Sequence, residues 1–340
     1  MIKNAIAKLV QKQDLTFEES YFAMRQIMNG EADHAQIAGF LVGLRMKGES
    51  AHEIAGCAKA MIEKSLRIEF QDDNLIDTCG TGGDEVGTFN ISTASAIVAS
   101  AVGVKVAKHG NRAVSSKCGS ADVLRELGVK IELTPEQAKI CLEEIGLAFI
   151  FAPLYHTSMK YAGPVRQSLG IRTIFNILGP LTNPAGAKRQ LLGVFAENLT
   201  EKIANVLKEL GSKHALVVHG AGGIDEISIS GHTKISELKN GEIKTYEISP
   251  EDFGLKRWDI NLILGGDAKT NAGIIKRLLE GEKGPQRDVV LLNSGAAIYV
   301  SGLADSISEG IEMAKEAIDS GKAKKKLEDL IELTNKFSNP

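Results

Sequence analysis

A glycine-rich turn between a predicted strand and a predicted helix constrains the fold of this chain more than any other segment. The turn reads Gly80-Thr-Gly-Gly-Asp84, and the polar run Thr88-Phe-Asn-Ile-Ser-Thr93 follows it before the helix. Glycines have no Cβ, so backbone N–H groups in such a turn can close on an anion at the helix start. An ordinary strand-to-helix turn is the simpler interpretation, but these hydroxyl and amide side chains exceed what capping one helix requires. The segment therefore predicts a site for phosphate or pyrophosphate.

A second anion-binding loop follows the next predicted strand. The run Lys108-His-Gly-Asn-Arg112 comes directly after a strand predicted at Val104–Ala107, and Lys117-Cys-Gly-Ser-Ala-Asp122 opens a helix with Ser120 as its expected N-cap. Ligands of open α/β sheets bind at the carboxyl ends of the strands, where this loop is expected. If the loop were only a solvated basic turn, the glycine and serines of 115–120 would have no role beyond flexibility. Two loops of this kind predict a ligand with two phosphate groups, or with one phosphate and one pyrophosphate.

The adjacent carboxylates Asp225 and Glu226 are the candidate cation ligands. Such pairs are usually solvated, but Gly222 and Gly223 before them and a predicted strand after them favour a fixed position. Side chains of neighbouring residues on an extended chain point to opposite faces, so we expect the pair to serve two cation positions, or one through water. Oxygen ligands of this kind favour Mg²⁺, which commonly bridges protein carboxylates and substrate phosphates.

Arg166 lies in an irregular segment that contains several prolines, residues 152–188, where Pro164–Ser168 can form a short helix and Gly179–Pro184 cannot. Taken alone, Arg166 is an ordinary surface arginine. A long irregular segment inside a compact domain is usually functional or a hinge, and we expect this one to cross back to the N-terminal helices. If it folds over a cleft, the Arg166 guanidinium can bind a carboxylate through two parallel hydrogen bonds.

The predicted fold is α/β, with a small N-terminal helical domain and a large domain whose mainly parallel central sheet is covered by helices. Residues 1–70 carry three capping-box sequences and no strand pattern, whereas residues 71–340 alternate short β-branched runs with helical runs. The strands are expected at Leu75–Asp77, Val104–Ala107, Val129–Leu133, Leu147–Phe151, Leu191–Phe195, Ala215–His219 and Val289–Asn293. The helices are expected at Ser92–Val102, Ala121–Leu127, Pro135–Ile145, Thr200–Leu210, Ala272–Leu279 and Ser308–Asp319. An antiparallel hairpin near residues 227–248 and a C-terminal helix at Lys322–Phe337 complete the large domain.

Composition argues against several classes of partner. The chain has 340 residues, a net charge of −3 and a pI near 6.2, so no global basic field suggests nucleic acid. Its longest small and apolar stretch, Ala94–Val104, is too short to cross a bilayer. The four cysteines show no Cys-x-x-Cys spacing and indicate a reducing compartment. We therefore expect a cytoplasmic protein without a nucleic-acid or membrane partner.

The segments that carry chemistry together resemble anthranilate phosphoribosyltransferase in order and spacing over nearly the whole chain. Each motif alone is modest, but the set is highly specific. The segments are Gly80–Asp84, Thr88–Thr93, Lys108–Arg112, Gly119–Asp122, Asn176–Pro184 and the pair Asp225-Glu226. The fold is also similar to that of the pyrimidine nucleoside phosphorylases, which differ in the anion loops and lack the Asn176–Pro184 stretch. One departure is Glu85-Val86, where small residues are expected, and the extra carboxylate could alter metal dependence.

The resemblance implies a reaction in tryptophan biosynthesis. The amine of anthranilate attacks C1 of phosphoribosyl pyrophosphate, and pyrophosphate leaves. The resemblance also implies Mg²⁺ as cofactor, with two ions per subunit, and a homodimer formed through the helical domain. That domain would supply one wall of the cleft, joined by helices from about residues 160–185. An anthranilate synthase partner stays open, and the alternatives are a pyrimidine nucleoside phosphorylase-like enzyme and a non-catalytic relative that binds phosphoribosyl groups or nucleic acid.

The same resemblance assigns the site residues. Phosphoribosyl pyrophosphate would be bound by Gly80, Gly83, Asp84, Thr88, Asn90, Ile91, Ser92, Thr93, Lys108, His109, Gly110, Asn111, Arg112, Ala113, Val114, Ser115, Ser116 and Ser120. Anthranilate would contact Gly80, Asn111 and Arg166, and Mg²⁺ would be held by Ser92, Asp225 and Glu226. Lys108 and Asn111 would stabilise charge. No general base is assigned, because the aniline nitrogen is a neutral nucleophile.

Overall fold

Four helices form the N-terminal region of the computed structural model, which describes residues 1–82, 86–113 and 117–337. They are α1 (Ile2–Val10), α2 (Phe17–Met28), α3 (His34–Lys47) and α4 (Ala51–Lys64). The last three begin with the predicted capping boxes, because the side chains of Thr16, Asp33 and Ser50 each accept a hydrogen bond from the backbone N–H three residues on. Gly30 and Gly48 follow α2 and α3 with positive φ, as expected at helix C-termini.

A seven-stranded sheet lies at the centre of the remaining described residues. Its strands are β1 (Ile76–Gly80), β2 (Val106–Gly110), β3 (Leu147–Phe151), β4 (Arg189–Gly193), β5 (His214–Gly220), β6 (Thr233–Lys239) and β7 (Glu242–Ile248). The spatial order is β3-β2-β1-β4-β5-β6-β7, in which β1 to β5 are parallel and the pairs β5–β6 and β6–β7 are antiparallel. The predicted mainly parallel sheet is therefore confirmed. The predicted hairpin is also present, and its turn residues Asn240 and Gly241 have φ values of 53° and 81°.

Helices cover both faces of the sheet. They are α5 (Ile91–Ala101), α6 (Ser120–Glu126), α7 (Pro135–Glu144), α8 (Ala152–Tyr155), α9 (Gly163–Leu169), α10 (Phe175–Leu178), α11 (Thr200–Glu209), α12 (Ala268–Leu279), α13 (Pro285–Ser301), α14 (Ile307–Asp319) and α15 (Lys322–Lys336). Short 3₁₀ helices occur at Thr157–Lys160, Gly179–Leu181, Glu197–Leu199, Pro250–Phe253 and Ile260–Ile263. Among the described residues, no helix combines the length and the apolar character needed to cross a membrane.

The sheet separates two apolar cores, because alternate residues of a strand point to opposite faces. Leu216 and Val218 of β5 pack with α5 and with α12 to α15 on one face. Ala215 and Val217 pack on the other face, in a core shared with α1 to α4, α9, α10 and α11. The irregular segment that contains α9 and α10 therefore packs against the N-terminal helices and against the sheet at once.

The strand predicted at Val129–Leu133 is wrong. This segment is buried irregular chain, and its backbone bonds to helices, since the N–H of Val129 donates to the Leu124 carbonyl at 3.0 Å and that of Lys130 to the Thr334 hydroxyl at 3.3 Å. Val129 and Ile131 enter the core that contains α5, and Leu133 enters a third, smaller core formed by β3 and α7. A period of two therefore arises here without strand pairing.

Three smaller predictions also need correction. The run Val289–Asn293 is not a strand but part of α13, which is buried around most of its circumference and so lacks the polar face that reveals a helix. The N-cap of α6 is Gly119, and Ser120 is the first helical residue. Gly179–Leu181 forms one 3₁₀ turn, because proline is tolerated at the start of a helix.

The crossing of α13 and α14 at two glycines generates a stability prediction. A Cβ on Gly310 would clash with the carbonyl oxygen of Gly295, whereas a Cβ on Gly273 of α12 would meet only the tip of Arg277, at 3.4 Å. We expect Gly310→Ala to lower the free energy of unfolding by about 1–3 kcal/mol through overpacking. The matched control Gly273→Ala should raise it by about 0.5–1 kcal/mol through helix propensity. Urea denaturation measures both, and an unchanged midpoint for Gly310→Ala would contradict this packing.

Candidate functional site

Asp225 is held over the carboxyl ends of the two central strands. Gly80 at the end of β1 and Gly193 at the end of β4 are register partners. A Cβ on Gly80 would clash with the Asp225 carboxylate, and a Cβ on Gly193 would clash with the Asp225 backbone carbonyl. The N–H of Gly82 donates to Asp225 Oδ2 at 2.8 Å. Glycine is therefore required at both strand ends for a steric reason, and the glycine-rich turn binds the carboxylate.

Glu226 reaches a different element, the start of α5. The N–H of Ser92 donates to Glu226 Oε1 at 3.0 Å, and the Thr78 hydroxyl donates to the Ser92 carbonyl at 3.1 Å. Asn293 of α13 holds the next residue, since its side chain accepts from the N–H of Ile227 and donates to the Ile227 carbonyl, both at 2.9 Å. The adjacent carboxylates therefore bind two separate elements and are supported from behind by a buried helix.

The Lys108 ammonium lies beneath the start of α5. The residue is only 3% exposed, and its Nζ donates to the Thr78 carbonyl at 2.5 Å and to the Ser92 hydroxyl at 3.1 Å. Burial lowers the pKa of Lys108, and the nearby Asp77 carboxylate opposes that effect. Lys108 therefore stands behind Ser92, so its charge can act on a ligand through the Ser92 hydroxyl and through space.

A buried carboxylate, Asp77, lies beside this lysine. The N–H of His109 donates to Asp77 Oδ1 at 3.1 Å, and Asn183 Nδ2 donates to Asp77 Oδ2 and to the Ala107 carbonyl, each at 2.8 Å. Burial raises the pKa of Asp77 to about 6, although Lys108 and these hydrogen bonds oppose the rise. Sequence analysis did not identify Asp77 or the separate role of Asn183, which ties the Asn176–Pro184 segment to β2.

The second loop is folded onto the start of α6. The Ser120 hydroxyl donates to the Asn111 carbonyl at 3.3 Å. Asp122 Oδ2 accepts from the N–H groups of Ala113 at 3.0 Å and Gly119 at 2.9 Å. The carboxylate of Asp122 therefore closes the loop onto the helix, and the side chain of Ser120 contributes to the same closure.

Asn90 connects the first loop with the second. Its Nδ2 donates to the Cys118 carbonyl at 3.1 Å, and its Oδ1 accepts from Asn271 Nδ2 of α12 at 2.9 Å. Thr88 forms an isolated bridge with Leu264 on the same side. The structure thus brings the polar run after the glycine turn into direct contact with the second loop, as the sequence motifs require for one shared ligand.

The remaining assigned residues have varied surroundings. Ile91 and Thr93 are buried within α5, so their side chains face the core. Gly110 ends β2, and the Arg112 guanidinium lies 5.5 Å from the ring centroid of Phe151. Outside the described residues lie Gly83, Asp84, Val114, Ser115 and Ser116, together with Glu85.

Two buried histidines, His109 and His156, lie beside the second loop. Their ring centroids are 5.1 Å apart, and His109 Nδ1 is 3.2 Å from the carbonyl oxygen of Gly179. Burial lowers the pKa of His109 to about 3 and that of His156 to about 4. In the described part of the chain, both Nε2 atoms are buried without a hydrogen-bond partner, which is unusual for polar atoms. The sequence left His156 without a role because burial is not visible in it.

Arg166 is half-buried in α9. Its guanidinium lies 5.0 Å from the ring centroid of Phe175, and burial lowers its pKa. The contacts of the described residues do not join it to Gly80 or Asn111, the other residues assigned to anthranilate. The structure therefore places Arg166 on the segment that packs with the N-terminal helices.

The candidate metal ligands form a set of oxygen donors. The Ser92 hydroxyl, Asp225 and Glu226 meet where the glycine turn approaches α5. Within the described ranges, no group of three or more His, Cys, Asp or Glu side chains has the geometry of a metal site. Two carboxylates and one hydroxyl fit Mg²⁺, which keeps several waters and takes substrate phosphate oxygens as further ligands.

The buried histidines generate a pH-dependence prediction. Their pKa values are lowered in the folded protein, so below about pH 6.5 the unfolded chain binds protons that the folded chain does not, and stability is lost as the pH falls toward 4. We expect His156→Asn to shrink the difference in unfolding free energy between pH 7 and pH 5 by about 2 kcal/mol.

The matched control is His52→Asn at an exposed position. The hydrogen bond that His52 donates to the Glu209 carboxylate raises the pKa of His52, so that residue stabilises the fold at low pH and its removal should act in the opposite direction. Guanidinium denaturation at the two pH values measures both variants. Equal pH dependence in wild type and His156→Asn would show that His156 is not buried in its neutral form.

Comparisons with known proteins agree with this geometry. The Glycosyl transferase family, helical bundle domain, matches residues 3–65, and the Glycosyl transferase family, a/b domain, matches residues 72–324. The anthranilate phosphoribosyltransferase of Acetivibrio thermocellus is 56% identical over 337 residues, which cover 99% of this chain and 98% of the relative. The crystal structure of the Thermus thermophilus enzyme is 44% identical with a TM-score of 0.93, covering 97% of this chain and 99% of that chain. The Saccharomyces cerevisiae enzyme in complex with PRPP and Mg is 29% identical with a TM-score of 0.90, covering 98% of both chains. The chain therefore belongs to the anthranilate phosphoribosyltransferase family.

Proposed function

We propose that the sheet edge around Asp225 carries the reaction of this family, the transfer of a phosphoribosyl group from phosphoribosyl pyrophosphate to the amine of anthranilate. The observation that supports this most is that the two loops are joined through Asn90, while Asp225 binds the glycine turn and Glu226 binds the start of α5. The complex of the yeast relative with PRPP and Mg supports the same phosphoribosyl donor here. The product would be N-(5-phosphoribosyl)anthranilate, with pyrophosphate as leaving group, in tryptophan biosynthesis.

The two loops bind phosphoribosyl pyrophosphate in this proposal. The positive end of the α5 dipole and the N–H groups of the glycine turn favour an anion at the rim of the sheet. The described residues that we assign to this substrate are Gly80, Thr88, Asn90, Ile91, Ser92, Thr93, Lys108, His109, Gly110, Asn111, Arg112, Ala113 and Ser120. The assignments of Gly83, Asp84, Val114, Ser115 and Ser116 stay predictions from the sequence.

Ser92, Asp225 and Glu226 hold Mg²⁺ in this proposal, with two ions per subunit. The carboxylates already lie at two different elements, the glycine turn and α5, which favours two ion positions over one. Bound Mg²⁺ would neutralise negative charge on the pyrophosphate. Hydrogen bonds to Gly82, Ser92 and Lys108 hold the oxygen atoms of Asp225, Glu226 and Ser92 in place before any ligand binds.

The chain contributes to the reaction by positioning and by fixed charge. Departure of pyrophosphate builds negative charge on the leaving group, and the Lys108 ammonium beneath Ser92 is a positive charge that cannot reorient away from it. One preorganised group of this kind typically supplies about 3 kcal/mol of transition-state stabilisation. The amine of anthranilate is a neutral nucleophile, so no side chain has to deprotonate it before attack.

Anthranilate binds between the second loop and the irregular segment in this proposal. Arg166 offers a guanidinium to the carboxylate, and the neutral imidazoles of His109 and His156 lie beneath the second loop without placing a charge there. Gly80 and Asn111 complete the contacts that the family resemblance assigns. The low pKa values of the histidines favour hydrogen bonding over ion pairing at neutral pH.

A homodimer formed through the N-terminal helices is also part of the proposal. Met1, Val10 and Met46 of this region are 60%, 75% and 81% exposed, which supports an apolar contact surface. A cytoplasmic location is supported by the four cysteines, which are all buried thiols. An anthranilate synthase partner stays a prediction.

Anthranilate fluorescence tests the proposed function. Protein, anthranilate, phosphoribosyl pyrophosphate and Mg²⁺ are mixed, and the fluorescence should fall as the substrate is consumed. An unchanged signal with folded protein would refute the transferase. Phosphate-dependent release of uracil or thymine from nucleosides would instead support the phosphorylase, and tight binding without turnover would support a non-catalytic relative.

Glu226→Gln tests the metal assignment. The amide oxygen can still accept from the Ser92 N–H, so the fold should persist while the carboxylate charge is lost. We expect the Mg²⁺ concentration at half-maximal rate to rise at least about tenfold and kcat to fall. The control Glu201→Gln, at an exposed position of α11, should behave as wild type. A metal titration identical to that of wild type would remove Glu226 from the site.

Arg166→Lys tests the anthranilate contact. Lysine keeps the charge but loses the planar fork that binds a carboxylate in two places. We expect KM for anthranilate to rise about tenfold or more while KM for phosphoribosyl pyrophosphate is unchanged. The control Arg257→Lys, at an exposed ion pair with Glu251, should leave both constants unchanged. If only the KM for phosphoribosyl pyrophosphate rises, Arg166 belongs to the other substrate.

A further inference from the structure

A cavity of about 450 Å³ opens at the sheet edge opposite the candidate site. Arg189 at the start of β4, His214 at the start of β5 and Lys239 at the end of β6 line it, together with Tyr299 near the end of α13. His214 and Lys239 are register partners in the sheet. Because β4 runs from Arg189 to Gly193, this amino-edge cavity and the Asp225 region lie at opposite ends of the same strand. Its volume is in the range of small-molecule sites.

Cations dominate the lining of the amino-edge cavity. Arg189, Lys213 and Lys239 line it, whereas Asp305 is the carboxylate among the described lining residues. Lys213 forms an ion pair with Asp73 at 2.6 Å just outside the lining. This excess of positive charge occurs in a chain whose net charge is −3, so it is a local feature.

Two of these cations are held by neutral oxygens. Arg189 Nε donates to the Asp73 carbonyl at 3.0 Å, and its Nη1 donates to the Val300 carbonyl at 2.9 Å. Lys239 Nζ donates to the Tyr299 hydroxyl at 2.9 Å and lies 4.6 Å from the ring centroid. The acceptors of these hydrogen bonds carry no charge, and the Asp73 carboxylate that acts on Arg189 through space is already paired with Lys213, which leaves capacity for an anion.

A half-buried network of hydrogen bonds keeps the wall of the cavity in place. The Tyr299 hydroxyl donates to Glu237 Oε1 at 2.7 Å, the Tyr246 hydroxyl donates to Glu237 Oε2 at 2.9 Å, and His214 Nε2 lies 2.8 Å from Glu237 Oε1. Burial alone would raise the pKa of Glu237, but these hydrogen bonds lower it to about 2. Both oxygens of the Glu237 carboxylate are therefore hydrogen-bonded within the protein. The Tyr299 hydroxyl, fixed by this bond, holds the Lys239 ammonium at the cavity.

The surroundings of the cavity are also basic. Lys188 precedes Arg189 in the sequence. Burial is the main cause that lowers the pKa of Lys188, and the positive charges of Arg67, Lys59 and Lys213 lower it further. Several cations near one sheet edge raise the local potential and attract anions.

We propose that the amino-edge cavity binds a small anion with at least two negative charges, held by Arg189, Lys213 and Lys239. A guanidinium offers two parallel donors to phosphate or carboxylate oxygens, and the two ammonium groups add point charges. Phosphate esters and polycarboxylates share this chemistry. The inference does not depend on the transferase reaction, because it rests on residues at the other end of the sheet.

Isothermal titration calorimetry tests the proposal, in Mg²⁺-free buffer passed over chelating resin so that no polycarboxylate chelator competes, with pyrophosphate and citrate as separate probes. We expect at least one probe to give a binding event that persists in Arg112→Gln, and the probe that gives it identifies phosphate or carboxylate as the preferred group. Lys239→Gln and Lys213→Gln should each weaken it at least about tenfold. The matched control Lys244→Gln, on the exposed strand β7, should bind as wild type.

Arg112→Gln changes the candidate active site, so it should weaken any binding event at the two loops and leave the event at the amino-edge cavity unchanged. Absence of binding by both probes would overturn the proposal. Equal weakening in Lys244→Gln, or loss of binding in Arg112→Gln but not in Lys239→Gln, would overturn it as well. Thermal unfolding of each variant shows whether it is folded. Lys239 is exposed, so its replacement should not unfold the protein, and lost binding would then reflect the lost charge.

Discussion

The contact of Asp225 with the bare ends of β1 and β4 is the constraint on which the candidate site depends. Because Gly80 and Gly193 carry no Cβ, the Asp225 peptide can lie directly on the edge of the sheet. Glu226 then falls beside α5, where the Ser92 N–H binds it. The register of β1 and β4 therefore places the Asp225 peptide, and Asn293 of α13 holds Ile227 just after Glu226. A side chain at either strand end would displace Asp225 and Glu226 together, which explains why only glycine fits at these two positions.

A layer of buried charge lies under the loops. Lys108 and Asp77 belong to neighbouring strands, and burial lowers the pKa of the first and raises that of the second. Either charge alone would be strongly destabilising in this environment. The opposite charges are near one another, and each is hydrogen-bonded, Lys108 to Thr78 and Ser92 and Asp77 to Asn183 and the His109 backbone. The positions of the loop residues above Lys108 and Asp77 are therefore set by hydrogen bonds inside the protein and not by contacts with solvent.

Local signals in the sequence predict most of the fold, and long-range contacts account for what they miss. The run Leu147–Phe151 predicts β3 correctly, because a short apolar run between two helical patterns has few alternatives. The similar run Val289–Asn293 misleads, since a helix buried on nearly all sides shows the same composition. Motif spacing locates both loops and the Asp225-Glu226 pair. It cannot locate Asp77 or His156, whose importance lies in burial and in partners far along the chain.

Asn293 lies within the helix that the sequence misassigns. Its side-chain amide pairs with both polar groups of the Ile227 peptide, as a neighbouring strand would, at a point where the chain has left the sheet. The other end of α13 is bound to the start of β4 through Arg189 and the Val300 carbonyl. The depth of α13 in the core therefore sets how far the two carboxylates stand above the sheet. Redesign of the core beneath this helix for thermostability would alter turnover without replacing any residue that meets a substrate.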